Sequence, residues 1–184
     1  MRKDIEQALE KFKVNTFGNK KIIEKVEALL RADEQVLYIS PTNVVVTAVN
    51  TNKKNKLPGV FVLTDNRILF HYKIAFDEST DTSDLSKIDS INCFGNGLTG
   101  GHVEVHTRTK TYDILVSYKK ALMNEIKNTF EEAINNYTQN KVSGNKESDT
   151  DILQQIEKLA ELRNKDILTE EEFQEKKQVL MARL

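Results

Sequence analysis

Residues 59–72 read GVFVLTDNRILFHY. Two runs rich in β-branched and aromatic side chains flank Thr64-Asp65-Asn66-Arg67, where Asp and Asn tolerate the backbone angles of a tight turn. The segment predicts a β-hairpin. Outward from it, from Val36 to Val116, the apolar period is two and β-branched residues accumulate. The candidate strands are VLYIS, NVVVTAV, GVFVLT, RILFHY, KIDSINC, HVEVHT and TYDILV, with the polar stretches NTNKKNK, DESTDTSD and GNGLTGG separating several of them. Many short strands with regular turn signals predict a small antiparallel barrel or sandwich. Pro41 belongs at a strand end or bulge, because it has no N–H to give to a ladder.

On either side of this region the period is helical. Ile5, Ala8, Leu9 and Phe12 form one stripe; Gly18 breaks it, and Ile22, Ile23, Val26, Leu29 and Leu30 form a second. Both are too short to persist alone, so they must dock on something. After Ser117, Leu122, Ile126, Phe130, Ala133, Ile134 and Tyr137 recur every three or four residues, which suits a long helix closing an open end of the barrel. Residues 141–150, KVSGNKESDT, read as a flexible linker. Beyond it, Ile152, Ile156, Leu159 and Ala160 make one stripe and Phe173, Leu180 and Leu184 another, with Thr169 and Glu172 at capping-box spacing between them. This is a helical hairpin of 34 residues. Below about 40 residues a lone chain rarely buries enough surface, so the hairpin needs a partner.

The expected organisation is therefore an N-terminal helical segment over 1–30, a barrel with its capping helix over 31–140, a linker over 141–150 and a helical hairpin over 151–184. The fold class is α+β.

Composition narrows the function. The chain has 184 residues, 39% hydrophobic and 30% charged, with a net charge of −1. Proteins that coat nucleic acid are far more basic. A single Cys excludes an intramolecular disulfide framework and any multi-Cys zinc site. No apolar run approaches the ~18 residues of a membrane span, and MRKDIEQALE lacks the apolar stretch of a signal peptide, so a soluble, cytoplasmic protein is expected. Charge is unevenly spread: residues 1–56 carry +4, residues 57–140 carry −3 and residues 141–184 carry −2.

Lys53, Lys54 and Lys56 crowd one loop with no acid nearby. One reading is a lipid-headgroup site, worth about 1 kcal/mol per Lys at an anionic bilayer. The other is a solvated loop whose lysines discourage edge pairing. No aromatic residue interleaves them, so base stacking is not supported. His102, Glu104 and His106 alternate, which puts all three on one strand face. The outer two Cα atoms then lie about 13 Å apart, too far for one ion held at ~2 Å, so no metal site is expected. Cys93 has no CxxC partner and reads as an inert thiol. GNGLTGG lacks the lysine of a phosphate loop and is followed by strand, so it reads as a wide hairpin loop needing positive φ. No nucleophile elbow or HExxH is present, no cofactor is implied, and no enzyme is expected.

Two resemblances add to this. DILQQIEKLAELRNKDILTEEEFQEKKQVLMARL resembles the short C-terminal domain known as SHOCT, through Ile156, Leu159 and Leu162, the ILTEEEF turn and the KK of the second helix. It departs at Asp166, where the family usually has Gly; Asp is among the few residues that tolerate a left-handed backbone. The span over 31–140, from ADEQVLYIS through VLTDNRILF to the amphipathic helix, resembles bacterial pleckstrin-homology-like domains. Together they imply a seven-stranded bent antiparallel barrel, capped by a helix and tied to a helical hairpin, of a kind found in bacteria and prophages. They also imply partner binding or oligomerisation through the SHOCT-like tail.

The function expected is a non-catalytic interaction module. The barrel supplies a binding surface, and Ile152, Ile156, Leu159, Phe173 and Leu180 supply an apolar face for self-association or docking on a protein partner. An alternative is a peripheral protein at the inner face of the membrane, holding anionic headgroups weakly through Lys53, Lys54 and Lys56. A third is an inhibitor of another protein, suggested only by the prophage-type resemblance.

Overall fold

The computed structural model describes residues 1–51, 53–75, 77–96, 98, 100–144, 149–165 and 167–182. The chain divides into two units, Met1–Thr138 and Gln139–Leu184.

The first unit begins with α1 (Lys3–Lys11) and α2 (Lys20–Leu29). Seven strands follow: β1 (Val36–Ala48), β2 (Lys54–Thr64), β3 (Arg67–Ile74), β4 (Asp77–Asp84), β5 (Ile88–Asn96), β6 (Gly100–Thr107) and β7 (Lys110–Val116). They form one antiparallel sheet in the order β4-β3-β2-β1-β7-β6-β5. The sheet curls enough that Lys110 Nζ on β7 donates to Asp81 on β4 at 2.6 Å. Inside the curl lie Tyr38, Phe61, Phe70, Val103, Val105, Tyr112 and Ile114, covered by Ile126, Phe130 and Ala133 of α3 (Lys120–Gly144).

The outer face of β1–β3 carries a second core. Val36, Ile39, Val60, Val62 and Leu69 point away from the barrel and pack with Ile5, Ala8, Ile23 and Val26 of α1 and α2. This explains why GVFVL and ILF are continuous apolar runs, since a strand buried on both faces has no side left for polar residues. It also answers what the two short N-terminal helices dock on.

Polar contacts lock this layer in place. The Glu34 side chain is fully buried and accepts from Arg67, Nε at 2.6 Å and Nη2 at 3.2 Å. Asp4 accepts from Arg2 Nε at 3.1 Å, from the Ile5 amide at 3.0 Å and from the Val36 amide at 2.8 Å. Burial pushes the Asp4 carboxyl upward, but these hydrogen bonds outweigh it and hold the group below the usual aspartate range.

The hairpin read at residues 64–67 is present, and its device is Thr64. The buried hydroxyl accepts from the Arg67 amide and donates to the Arg67 carbonyl, both at 3.0 Å. Thr107 repeats it with Lys110, at 3.1 and 2.8 Å. At Gly59 no side chain fits: a Cβ would overlap the His71 carbonyl and lie 2.8 Å from the Phe70 ring. The glycine loop has the expected positive φ at Gly95 (146°) and Gly100 (89°); Gly97 and Thr99 lie outside the described residues.

Three expectations need correction. VLYIS and NVVVTAV are one strand, β1, which runs straight through Pro41. Proline is tolerated there because β7 pairs only with Val44–Ala48, leaving residues 36–43 with an open side. DESTDTSD is not a separator but β4, an edge strand exposed over most of its length and paired with β3 from Arg67 to Ile74. Its polar composition suits an edge that must not recruit another chain. Part of the stretch read as a linker is helical, since α3 runs to Gly144 and α4 starts at Asp149; residues 145–148 lie outside the described residues.

The second unit holds α4 (Asp149–Asn164) and α5 (Glu170–Met181). Thr169 caps α5 as expected: its hydroxyl accepts from the Glu172 amide at 3.3 Å while Glu172 accepts from the Thr169 amide at 3.0 Å. These bonds hold the Glu172 carboxyl below its ordinary range. Asp166 and Leu184 lie outside the described residues.

Candidate functional site

The lysine cluster sits at one end of the barrel. Lys53 lies in the β1–β2 connection, and Lys54 and Lys56 open β2; all three are exposed, and none is ion-paired among the described residues. Lys54 pairs with Thr47 and Lys56 with Val45. Val44 and Val46 are buried inside the barrel, so Thr47 and Val45, and with them both lysines, belong to the outer face. The structure adds a fourth cation that the sequence reading missed. Thr47 also pairs with Thr111 on β7, and the Val49 amide donates to the Thr109 carbonyl at 3.0 Å. The β6–β7 turn carrying Arg108 is thereby tied to the lysine loop. Only the strand register brings these segments together, which is why spacing along the chain held no signal for it.

His102, Glu104 and His106 do share one face of β6, alternating with buried Val103 and Val105. They are half-buried and each has a partner. His102 Nδ1 is 2.8 Å from Asp113 and its ring stacks on Phe94; His106 Nε2 is 3.1 Å from Glu104. No group of metal-ligating side chains occurs among the described residues. The Cys93 thiol is half-buried, and burial pushes its pKa up, away from a reactive thiolate. His71 is buried, 2.9 Å from the Thr80 hydroxyl.

In the hairpin, the residues expected to form the docking face divide. Ile152, Phe173 and Leu180 are buried, while Ile156 and Leu159 are partly covered. Three residues of that stripe are therefore covered within the chain and offer no open face. The large apolar residues left exposed among the described residues of this unit are Leu153, Leu162, Ile167, Val179 and Met181, at 55%, 37%, 65%, 52% and 50% exposure. Leu162 and Val179 line a groove of about 580 Å³ with Leu159 and Leu180, rimmed by Lys158, Glu175 and Lys176. No helix among the described residues is long and apolar enough to cross a membrane.

Comparison with known proteins matches residues 30–132 to the Bacterial PH domain family and residues 154–181 to the Short C-terminal domain, SHOCT. Among solved structures, the chain is similar to the Vps36 N-terminal PH domain, at 17% identity and a TM-score of 0.43, over 60% of this chain and 86% of that one. It is also similar to a protein with a pleckstrin-homology domain from Shewanella loihica, at 12% identity and a TM-score of 0.42, over 62% of this chain and 91% of the other. A third similarity is to the PH domain of USP37, at 12% identity and a TM-score of 0.39, over 52% and 94% of the respective chains. No curated protein matches. With more than half of its length inside the first match and most of the helical hairpin inside the second, the chain belongs to the bacterial PH domain family and carries a SHOCT domain later in its sequence.

Proposed function

We propose that the protein is a non-catalytic interaction module that self-associates through its C-terminal hairpin, leaving the barrel free to present a binding surface. PH-like and SHOCT domains are binding or interaction modules and are typically non-catalytic. The observation that carries the finer reading is the groove between α4 and α5. Leu162 and Val179 stay partly in water on a unit too small to waste apolar surface, and the rim holds Lys158 and Lys176 beside Glu175. A rim of both signs suits a second copy of itself, since a two-fold contact sets each patch against its own complement. The expected outcome is that Leu162→Glu with Val179→Glu lowers the sedimentation-derived mass of the particle. An unchanged mass would remove self-association through this groove.

A second reading has its own observation. The turn carrying Arg108 is tied to a loop with three exposed lysines, which strengthens the case for a cationic end of the barrel that meets an anionic membrane surface. About 1 kcal/mol per cation is weak for a single chain, and self-association would multiply it. Flotation with anionic vesicles at low salt is expected to carry the wild type, and to fail when Lys53, Lys54 and Lys56 are all changed to Glu. A wild type that stays at the bottom of the gradient would remove this reading.

A further inference from the structure

We propose that the gap where β1 and β7 part is a binding pocket for a small amphiphilic anion, an alkyl or aryl carboxylate or phosphate monoester. The β1–β7 ladder runs from Ala48↔Lys110 to Val44↔Ile114 and stops there. Beyond it the strands separate, and at Thr42 the side chain takes over from the backbone, Oγ1 donating to the Leu115 carbonyl at 2.8 Å. Residues 12–15 close the gap on one side and the start of α3 on another. Those N-terminal residues follow α1 and precede the span that matches the PH family.

The cavity, open to solvent on one side, is about 420 Å³. That falls within the ~300–1,000 Å³ of pockets that hold small molecules, which are mostly apolar with a few converging polar groups. Phe12, Tyr38 and Ile126 supply buried apolar walls, and Ser40, Thr42 and Ser117 supply hydroxyls. Lys13 and Lys119 also line the cavity; both are exposed, and neither is ion-paired among the described residues. No carboxylate is among the described lining residues, although the chain as a whole carries a net charge of −1. An inorganic anion would leave the apolar walls unfilled. A neutral apolar molecule would leave the two lysine ammonium groups without an anionic partner. The ligand that answers both has an apolar body and one anionic head.

Calorimetric titration of the full chain with decanoate, decyl phosphate, decanol and inorganic phosphate tests this. The two amphiphilic anions are expected to bind at one site per chain, with decanol and inorganic phosphate at least tenfold weaker. Lys13→Asn with Lys119→Gln is expected to weaken both anions about tenfold and to leave decanol unchanged. Asn is chosen because Lys13 has φ 52°, which Asn tolerates. Changing Lys53, Lys54 and Lys56 to Gln is expected to leave the affinity intact, which separates this pocket from the basic loop. On the wild type, decanoate is expected to shift the methyl resonances of Leu115 and Leu122, which places the ligand without any variant. Three results would each overturn the proposal: no binding of either anion in the millimolar range, decanol binding as tightly, or methyl shifts confined to α4 and α5.

Discussion

Strands β2 and β6 lie in one sheet, three places apart, and were built for different surroundings. In β2, Phe61 and Leu63 point into the barrel while Val60 and Val62 point out against α1 and α2, so the run is apolar throughout. In β6, Val103 and Val105 point in, and His102, Glu104 and His106 face out into a half-solvated polar network. The difference teaches that the N-terminal helices are a second coat on one half of a PH barrel, and that loss of alternation in a strand records where the coat sits.

The comparison breaks most readily at an outward position of β2. Val62→Asp leaves a carboxylate without a partner between sheet and helices, and is expected to cost at least ~4 kcal/mol and unfold the barrel unit, read by circular dichroism melts. Glu34→Ala comes next. It strips Arg67 of its buried acceptor and is expected to cost about 3 kcal/mol in chemical denaturation.

Asp4 sharpens the contrast through pH. Its pKa is depressed in the folded protein, so its contribution is complete above the unfolded value near 3.9 and is lost as the pH falls through the folded one. Asp4→Asn is expected to cost about 1–2 kcal/mol at pH 7 and little at pH 2, with amide exchange of Val60 and Val62 reporting it. Equal losses at both pH values would mean that the charge on Asp4 does no holding. The smallest effect belongs to β6: Glu104→Ala removes a contact to His106 in a half-exposed network and is expected to change stability by less than ~1 kcal/mol. A cost as large as that of Val62→Asp would erase the distinction between the two halves.

How much was legible in the sequence follows the same line. Features specified by neighbours in the chain read through directly: the Thr64–Arg67 turn, the Thr169–Glu172 capping box, and the two N-terminal helices with their break near Gly18. Strand membership was harder. β4 has no apolar face to betray it, because an exposed edge strand is selected for polarity, and Pro41 suggested a break that an open sheet side makes unnecessary. Partnerships that depend on register stayed hidden. Arg108 joins the lysine loop only through the β1–β7 pairing. The hairpin's stripe was visible, but whether Ile152, Phe173 and Leu180 face inward or outward depends on how two helices meet.

We propose that the hairpin is the element through which copies of this chain meet. Light scattering on the full chain and on a chain ending at residue 144 tests it most directly. Fewer protomers per particle are expected once the hairpin is gone, with the barrel's circular dichroism unchanged. The same number of protomers with and without it would contradict the claim.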